Sequence, residues 1–402
     1  MKRTQIWIFI LLLFPFKLYA SIIESTIGAA VINDATAAYY NPAALVLLEN
    51  PQFIILGSIG DFRTKFTGQS TIFFKGLTEM GSGDSRAQYY SPSAYFAIPI
   101  TDNITFGLAM MANSAFRDVA ENSIQRYVQA SNTIADHDIV PAIEVKINNF
   151  FSVGVGVDFS YANIHLKPIN QFPGSNTADS ASDNRSNGMG VGGNVGFLLK
   201  LAPSTTIGFN YRSVTNYELR GESILRGIQD FVSSNYYYKL MTPARSVLTV
   251  NHFVTPKLGL ITTIQRIQWS AFKDLDVYGI ASLSGLQPVI LNASVPFRLR
   301  DTWVVTLGGH YRATSKWIVR LAGSYNQSPG NPFYQISNGD SVILATSMGY
   351  QINKYISIDG GYAHAFIKDQ NINITSNRVL INGINEGARD VVSLKLTFNM
   401  VK

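Results

Sequence analysis

From about residue 52 to residue 400 the chain repeats one pattern fourteen times, a short stretch in which apolar residues alternate with small or polar ones. In Phe151 to Phe159 the odd positions Phe151, Val153, Val155, Val157 and Phe159 share one side, while Ser152, Gly154, Gly156 and Asp158 share the other. Near the end of the chain Val392, Leu394, Leu396, Phe398 and Met400 oppose Ser393, Lys395, Thr397 and Asn399. The same division separates Trp303, Val305, Leu307 and Tyr311 from Thr302, Thr306 and His310, and Trp317, Val319, Leu321 and Tyr325 from Arg320 and Ser324. A period of two is the period of a β-strand, so each stretch predicts a strand with one greasy and one watery face. Alternation is weakest in 52–62 and 258–270.

The connections follow a rule of their own. Six are tight: Thr101-Asp102-Asn103, Asn148-Asn149, Ala202-Pro203-Ser204, Thr255-Pro256-Lys257, Ala313-Thr314-Ser315 and Asn353-Lys354. The seven that alternate with them, near 68–87, 118–135, 168–187, 224–241, 271–294, 329–339 and 369–388, are long and rich in Gly, Ser, Asn and Asp. Short connections on one side and long ones on the other are what a chain crossing a membrane at every strand requires. Lipid offers no partner to an open sheet edge or a bare loop, so such a sheet must close. The predicted fold is all-β, a 14-stranded antiparallel transmembrane β-barrel occupying residues 51–402, with tight turns in the periplasm and long loops outside. Phe150, Trp317, Tyr350 and Tyr355 beside the tight turns, and Tyr161, Trp269, Tyr325 and Phe366 near the long loops, are expected to form the two aromatic belts.

Composition supports dispersal of the apolar residues. Hydrophobic residues make up 46% and charged residues 14% of the chain, with 20 Tyr, 24 Phe and 32 Gly. The first twenty residues stand apart: Lys2 and Arg3 precede the apolar run Ile6 to Phe16, and Ala20 is the small residue of a cleavage site. Residues 1–20 therefore read as a secretory signal, too short to span a bilayer. Removing them takes away Lys2, Arg3 and Lys17, so the formal charge falls from +6 to +3. With no basic run, that charge does not indicate nucleic-acid binding. There is no cysteine, hence no disulfide or thiolate site, and neither a cofactor nor a metal is expected.

Residues 21–50 do not fit a strand. Ile27 to Val31 and Ala35 to Tyr40 are compact and rich in small residues, and Asn41-Pro42-Ala43-Ala44-Leu45 follows at once. Such a segment suits a hatch filling the lumen, because fourteen strands enclose more space than inward side chains can fill. The stretch Ala35 to Leu45, ending in Tyr40-Asn41-Pro42-Ala43-Ala44-Leu45, resembles the signature of the outer-membrane long-chain fatty-acid transporter family, FadL-like proteins that include aromatic-hydrocarbon importers. The resemblance continues in order through Pro243, Gln268 to Phe272, Asp301-Thr302-Trp303, Gly308 to Tyr311, Arg320 to Tyr325 with Ser328-Pro329, and Gly360-Gly361-Tyr362.

That resemblance implies passive uptake of long-chain fatty acids or other hydrophobic compounds through the outer membrane of a Gram-negative bacterium, with sideways release into the membrane. Asn41, Pro42 and Ala43 are then the hatch motif. In the family the third strand is kinked, which places the lateral exit on Ile104 to Phe116 here, at Asn113, Ser114 and Ala115, although Met111 to Phe116 contain neither Pro nor Gly. A carboxylate ligand needs an apolar trench and a cation. Alternation turns Lys200, Arg212, Arg245, Arg298, Arg300, Arg320 and Lys395 inward, with Glu144, Asp158 and Asp359 to balance some of them. Arg212, Arg245 and Arg298 are the candidates for the ligand contact, and Phe73, Phe74 and Leu77 for an outer apolar groove. Ile72, Phe231 and Tyr236 to Tyr238 are further apolar loop residues, which serve a groove, contact lipopolysaccharide or pack loop on loop. Expected partners are the hydrophobic ligand, outer-membrane lipids and lipopolysaccharide, and the barrel-assembly machinery, for which Phe398 supplies a terminal aromatic; the protein is expected to be a monomer.

Three other readings compete on sequence, and the last of them, an enzyme, is not expected. A general porin requires an empty lumen, and a loop-mediated adhesin or receptor requires only the long loops. An enzyme requires a nucleophile and a base side by side, and only His310 with Ser324 on the next strand approaches this.

Overall fold

The computed structural model describes residues 28–120, 122–170, 179–227, 229–284, 287–333, 338–376 and 379–400. The expected signal segment 1–20 lies outside them. Strand segments β1 (Gln52–Ile72), β2 (Leu77–Thr101), β3 (Ile104–Val119), β4 (Ser131–Lys146), β5 (Phe151–Lys167), β6 (Ile169–Asn170) and β7 (Ser180–Ala202) come first. They are followed by β8 (Thr205–Arg212), β9 (Thr215–Leu225), β10 (Phe231–Thr242), β11 (Arg245–Phe253), β12 (Leu258–Ile267) and β13 (Asp274–Ser284). The last are β14 (Gln287–Pro296), β15 (Thr302–Arg312), β16 (Trp317–Asn326), β17 (Ser341–Gln351), β18 (Ile356–Ser376) and β19 (Val379–Asn399).

All belong to one antiparallel sheet in which β1 pairs with both β2 and β19, so the sheet closes on itself. β6 is a two-residue rung on β7 in an outer loop. Four wall strands are each broken once, into β8 with β9, β10 with β11, β12 with β13, and β14 with β15. Joined across their breaks they bring the wall to the expected fourteen strands. All six tight turns fall where the sequence puts them. The breaks lie together, because Arg212 pairs with Arg245, Arg245 with Ile267 and Ile267 with Thr302. Pro243 supplies one of them, having no N–H for the ladder. Gln268 to Phe272 supply another, turning through a 3₁₀ turn at Trp269–Ala271.

The outer face follows the alternation. Leu307, Leu321, Val392 and Leu394 are exposed while Ser152, Asp158, Ser393 and Lys395 are buried. Near the tight turns Phe151, Phe197 and Phe209 stack in a row and Trp317 meets Tyr350 with ring centroids 4.4 Å apart. Tyr161, Tyr325 and Phe366 are exposed near the opposite rim, as a belt requires. Trp269 does not join them. It is buried, and the 3₁₀ turn that carries it is the reason.

Most of the expected long loops are strands. β1 and β2 run on to a tip at residues 73–76, β9 extends to Leu225 with β10 resuming at Phe231, and β13 and β14 occupy 274–284 and 287–296. Beyond the lipid both faces meet polar surroundings, so alternation fades from the sequence although the backbone ladder continues. Two corrections follow. Arg298 and Arg300 lie between β14 and β15 and are exposed, Arg298 in a left-handed conformation with φ 49°, so neither points inward from a strand.

Candidate functional site

The lumen is occupied by the segment that precedes β1. It consists of a 3₁₀ turn at Ala29–Val31, the single-turn helix α1 (Ala37–Tyr40) and a 3₁₀ turn at Pro42–Leu47. Pro42 starts the last turn, where its fixed φ and missing N–H cost nothing. Ala35, Ala37, Ala38, Tyr39, Ala43, Ala44 and Leu45 are fully buried against Ile54, Tyr95, Met111, Val140 and Leu198 of the wall.

Four wall glycines make the seat. A Cβ on Gly107 would lie 2.7 Å from Ala38, one on Gly154 2.3 Å from Ala43 N, one on Gly196 1.8 Å from Asn41 Oδ1, and one on Gly208 1.9 Å from Ala30 O. Only a residue without a side chain lets backbone and hatch approach this closely.

Polar contacts then fix the hatch on several sides. Asn41 Nδ2 donates to Ala30 O at 2.6 Å and to Phe197 O of β7 at 3.2 Å, while its Oδ1 accepts from Ala43 N at 3.3 Å. Ser152 Oγ of β5 donates to Ala43 O at 2.8 Å, and Gln52 Oε1 of β1 accepts from Ala35 N at 2.6 Å. Two buried ion pairs complete the set. Lys395 Nζ of β19 sits 2.8 Å from Asp34 Oδ2, and Arg212 of β8 reaches Asp158 Oδ1 at 2.5 Å, Tyr39 O at 2.5 Å and the Tyr39 ring at 4.0 Å. Burial pushes the Asp34 carboxyl up, but the Lys395 ammonium and the Thr36 hydrogen bonds outweigh it and hold the group below its ordinary value.

Above the hatch the inward faces of β9, β10 and β13 carry Tyr217, Leu219, Tyr236, Tyr238, Leu240, Leu275 and Val277, packed on Ile134 of β4 and Ala162, Ile164 and Leu166 of β5. Tyr217 OH donates to Asp136 Oδ1 at 3.1 Å and Tyr238 OH lies 2.8 Å from Ser186 Oγ. This is an apolar lining with hydroxyls at its edge, suited to a greasy molecule. On the other side residues 122–130 turn inward. Ile124, Tyr127 and Val128 pack on Phe66, Ile72, Ile372 and Ile381, and Arg126 forms a two-pronged pair with Glu79 at 2.7 Å.

The residues expected to act thus have different places. Asn41, Pro42 and Ala43 are the contact between hatch and wall. Arg212 is committed to Asp158 and Tyr39, and Arg245 lies over the same ring at 5.8 Å, so both brace the hatch. Arg298 is exposed and pairs with Asp274 at 3.4 Å, although its neighbour Phe297 is buried among the residues of the inner lining. Phe73 and Leu77 are exposed at the β1–β2 tip, and the Phe74 side chain lies outside the described residues. Tyr236 and Tyr238 belong to the inner lining, not to the surface. His310 pairs with Arg320 and Ser324 with Thr306, so the two are four rungs apart and form no catalytic couple.

Asn113, Ser114 and Ala115, expected at the exit, sit beside an interruption of the ladder. β3 is continuous, but its ladder with β2 lacks the rungs Ser91–Asn113 and Pro92–Ala112, between Tyr90–Ser114 and Ser93–Met111. The interrupting proline stands in the neighbouring strand, a signal the sequence carried at Pro92. Asn113 and Ala115 face inward, Ser91 Oγ donates to Asn113 Oδ1 at 2.6 Å, and Asn113 Nδ2 is buried without an acceptor among the described residues. A second interruption beside Pro141, between β4 and β5, is backed by the Asp158–Arg212 pair.

A sequence profile described as outer membrane protein transport protein (OMPP1/FadL/TodX) matches residues 26–399. An outer-membrane protein of Neisseria meningitidis serogroup B is 21% identical, covering 86% of this chain and 84% of that one. Among solved structures, a Pseudomonas aeruginosa FadL homologue superposes with a TM-score of 0.81 at 21% identity, over 93% of this chain and 96% of the other. The Pseudomonas putida toluene transporter TodX superposes with a TM-score of 0.71 at 15% identity, over 92% and 96%.

Proposed function

Because the chain belongs to the OMPP1/FadL/TodX family of outer-membrane transport proteins, we propose that it carries long-chain fatty acids or other hydrophobic compounds passively into the outer membrane and releases them sideways between β2 and β3. The observation that supports this reading is the seated hatch. With the lumen stopped below, a ligand held by the apolar lining of β9, β10 and β13 has its easiest way out through the wall. The β2–β3 interruption is the better candidate for that way, because no ion pair among the described residues backs it. No step consumes nucleotide; transfer from water to lipid drives it.

The chain has no cysteine, which makes the test direct. Pro92→Cys with Ala112→Cys places two thiols on opposite sides of the missing rung, and Ala94→Cys with Met110→Cys places two on an intact rung. Cells dependent on this protein for fatty-acid uptake should lose it when the first pair is oxidised and regain it on reduction, with no change for the second pair. Full uptake through a completely stapled gap would remove the lateral route.

A further inference from the structure

The outer wall carries a notch of about 360 Å³ spanning the outward faces of β2 to β5. It exists because β3, β4 and β5 stop level with one another at Val119, Ser131 and Lys167 and residues 122–130 fold into the lumen, while β2 and β7 continue past them on either side. Its lining includes Arg86, Phe116, Asp118, His165 and Lys167, with Arg117 in the wall between.

The position of the notch is set by rings. Phe116 meets Tyr90 edge-on at 6.2 Å, and both are exposed on the outer face, the arrangement that marks where hydrocarbon gives way to headgroups. Arg86 and Asp118 lie just above this pair, and Pro92 lies just below it at the interrupted rung. The notch therefore stands at headgroup level directly over the gap.

Its charge is unevenly satisfied. Arg86 pairs with Asp61 at 2.5 Å, yet its side chain stays 60% exposed. His165 lies 2.7 Å from Asp183, and Asp118 accepts from Ser131 Oγ at 3.2 Å. Lys167 is exposed and has no carboxylate partner among the described residues, whereas Arg117 is buried on the inward face of β3 and takes no part in the outer surface. An oxyanion is the chemistry that two exposed cations at a lipid surface, Arg86 and Lys167, take.

We propose that the notch binds the oxyanion headgroup of an acyl-chain amphipath in the outer leaflet, holding it beside the β2–β3 gap while the chain lies in the membrane. This deepens the transport reading by giving an acidic ligand a place to leave its charge as its tail passes the wall. Carboxylate of the transported molecule and phosphate of a resident lipid share this chemistry.

The test uses the full chain in discs of zwitterionic lipid, with Phe116→Trp as reporter and a brominated acyl chain as quencher. A brominated carboxylic acid should quench the added indole at about tenfold lower mole fraction than the matched brominated alcohol, and high salt should reduce the difference. Arg86→Gln with Lys167→Gln should abolish the preference; both side chains are exposed, and heat-modifiable migration checks that the barrel persists. Equal quenching by acid and alcohol, or a preference that survives the double substitution, would overturn the proposal. A brominated phosphatidic acid identifies the source: stronger quenching than the carboxylic acid supports a resident lipid as occupant, and weaker quenching supports the cargo. Because this titration reads binding at the outer wall, it stands apart from the stapling experiment, whose failure would leave it intact.

Discussion

Asn41 and Gly196 divide one small volume between them: the amide oxygen of the hatch residue stands where a side chain on the wall residue would begin. Gly196→Ala should therefore lift the hatch, at a cost of about 1–3 kcal/mol for overpacking. Planar-bilayer recordings should show larger and more frequent openings than the parent, with the barrel still heat-modifiable on gels. Gly57→Ala, on a site with open space around it, should be silent.

Removing the other partner tests the same contact from inside. Asn41→Ala deletes the bonds to Ala30 O and Phe197 O and leaves these carbonyls buried, a loss of about 1–3 kcal/mol. Uptake of a radiolabelled fatty acid should fall while the folded barrel persists. Normal uptake would show that this turn has only a structural part.

Acid should loosen the hatch through Asp34. Its carboxyl is held below the ordinary 3.8, so the contribution of the Lys395 pair is complete above that value and lost as pH falls through the lowered one. Conductance should stay flat from neutrality to about pH 4 and rise below it. Lys395→Met leaves the carboxylate buried without its cation, about 3–5 kcal/mol, and burial then raises the group, so the rise should begin at higher pH.

The two arginines once equal on sequence should part company. Arg298→Ala, exposed and outside any strand, should change stability by no more than about 0.5 kcal/mol and leave uptake unchanged. Arg212→Gln breaks the contacts to Asp158 and Tyr39 and should raise conductance as Gly196→Ala does. Bilayer recordings of the two variants side by side separate these outcomes.

What sequence revealed depended on where lipid lay. Between Phe151 and Phe159, or Val392 and Met400, one face must be apolar, and the strands were legible. Lipid imposes nothing on the outer hairpins, so β13 and β14 resembled a loop, and Arg298 was placed by extending an alternation that ends before it. Trp269 belonged by type to an aromatic belt, but a ring beside a strand break serves either side of the wall, and the 3₁₀ turn took it inward. The hatch motif was legible because Asn before Pro has few alternatives; its glycine seats on four separate strands were not, since glycine is everywhere in the inner face. The interruption between β2 and β3 was not legible in Met111 to Phe116, because a ladder fails when either partner lacks an N–H and the proline stands at Pro92.

The seam between β1 and β19 joins the beginning of the barrel to its end, rung for rung from Gln52–Asn399 to Ile72–Val379. Only a few residues separate the hatch from β1, so the cork is tethered to the very edge that must zip last. Whatever parts that seam also loosens the anchor of residues 28–50, so the integrity of the ring and the seating of its stopper are secured at one place.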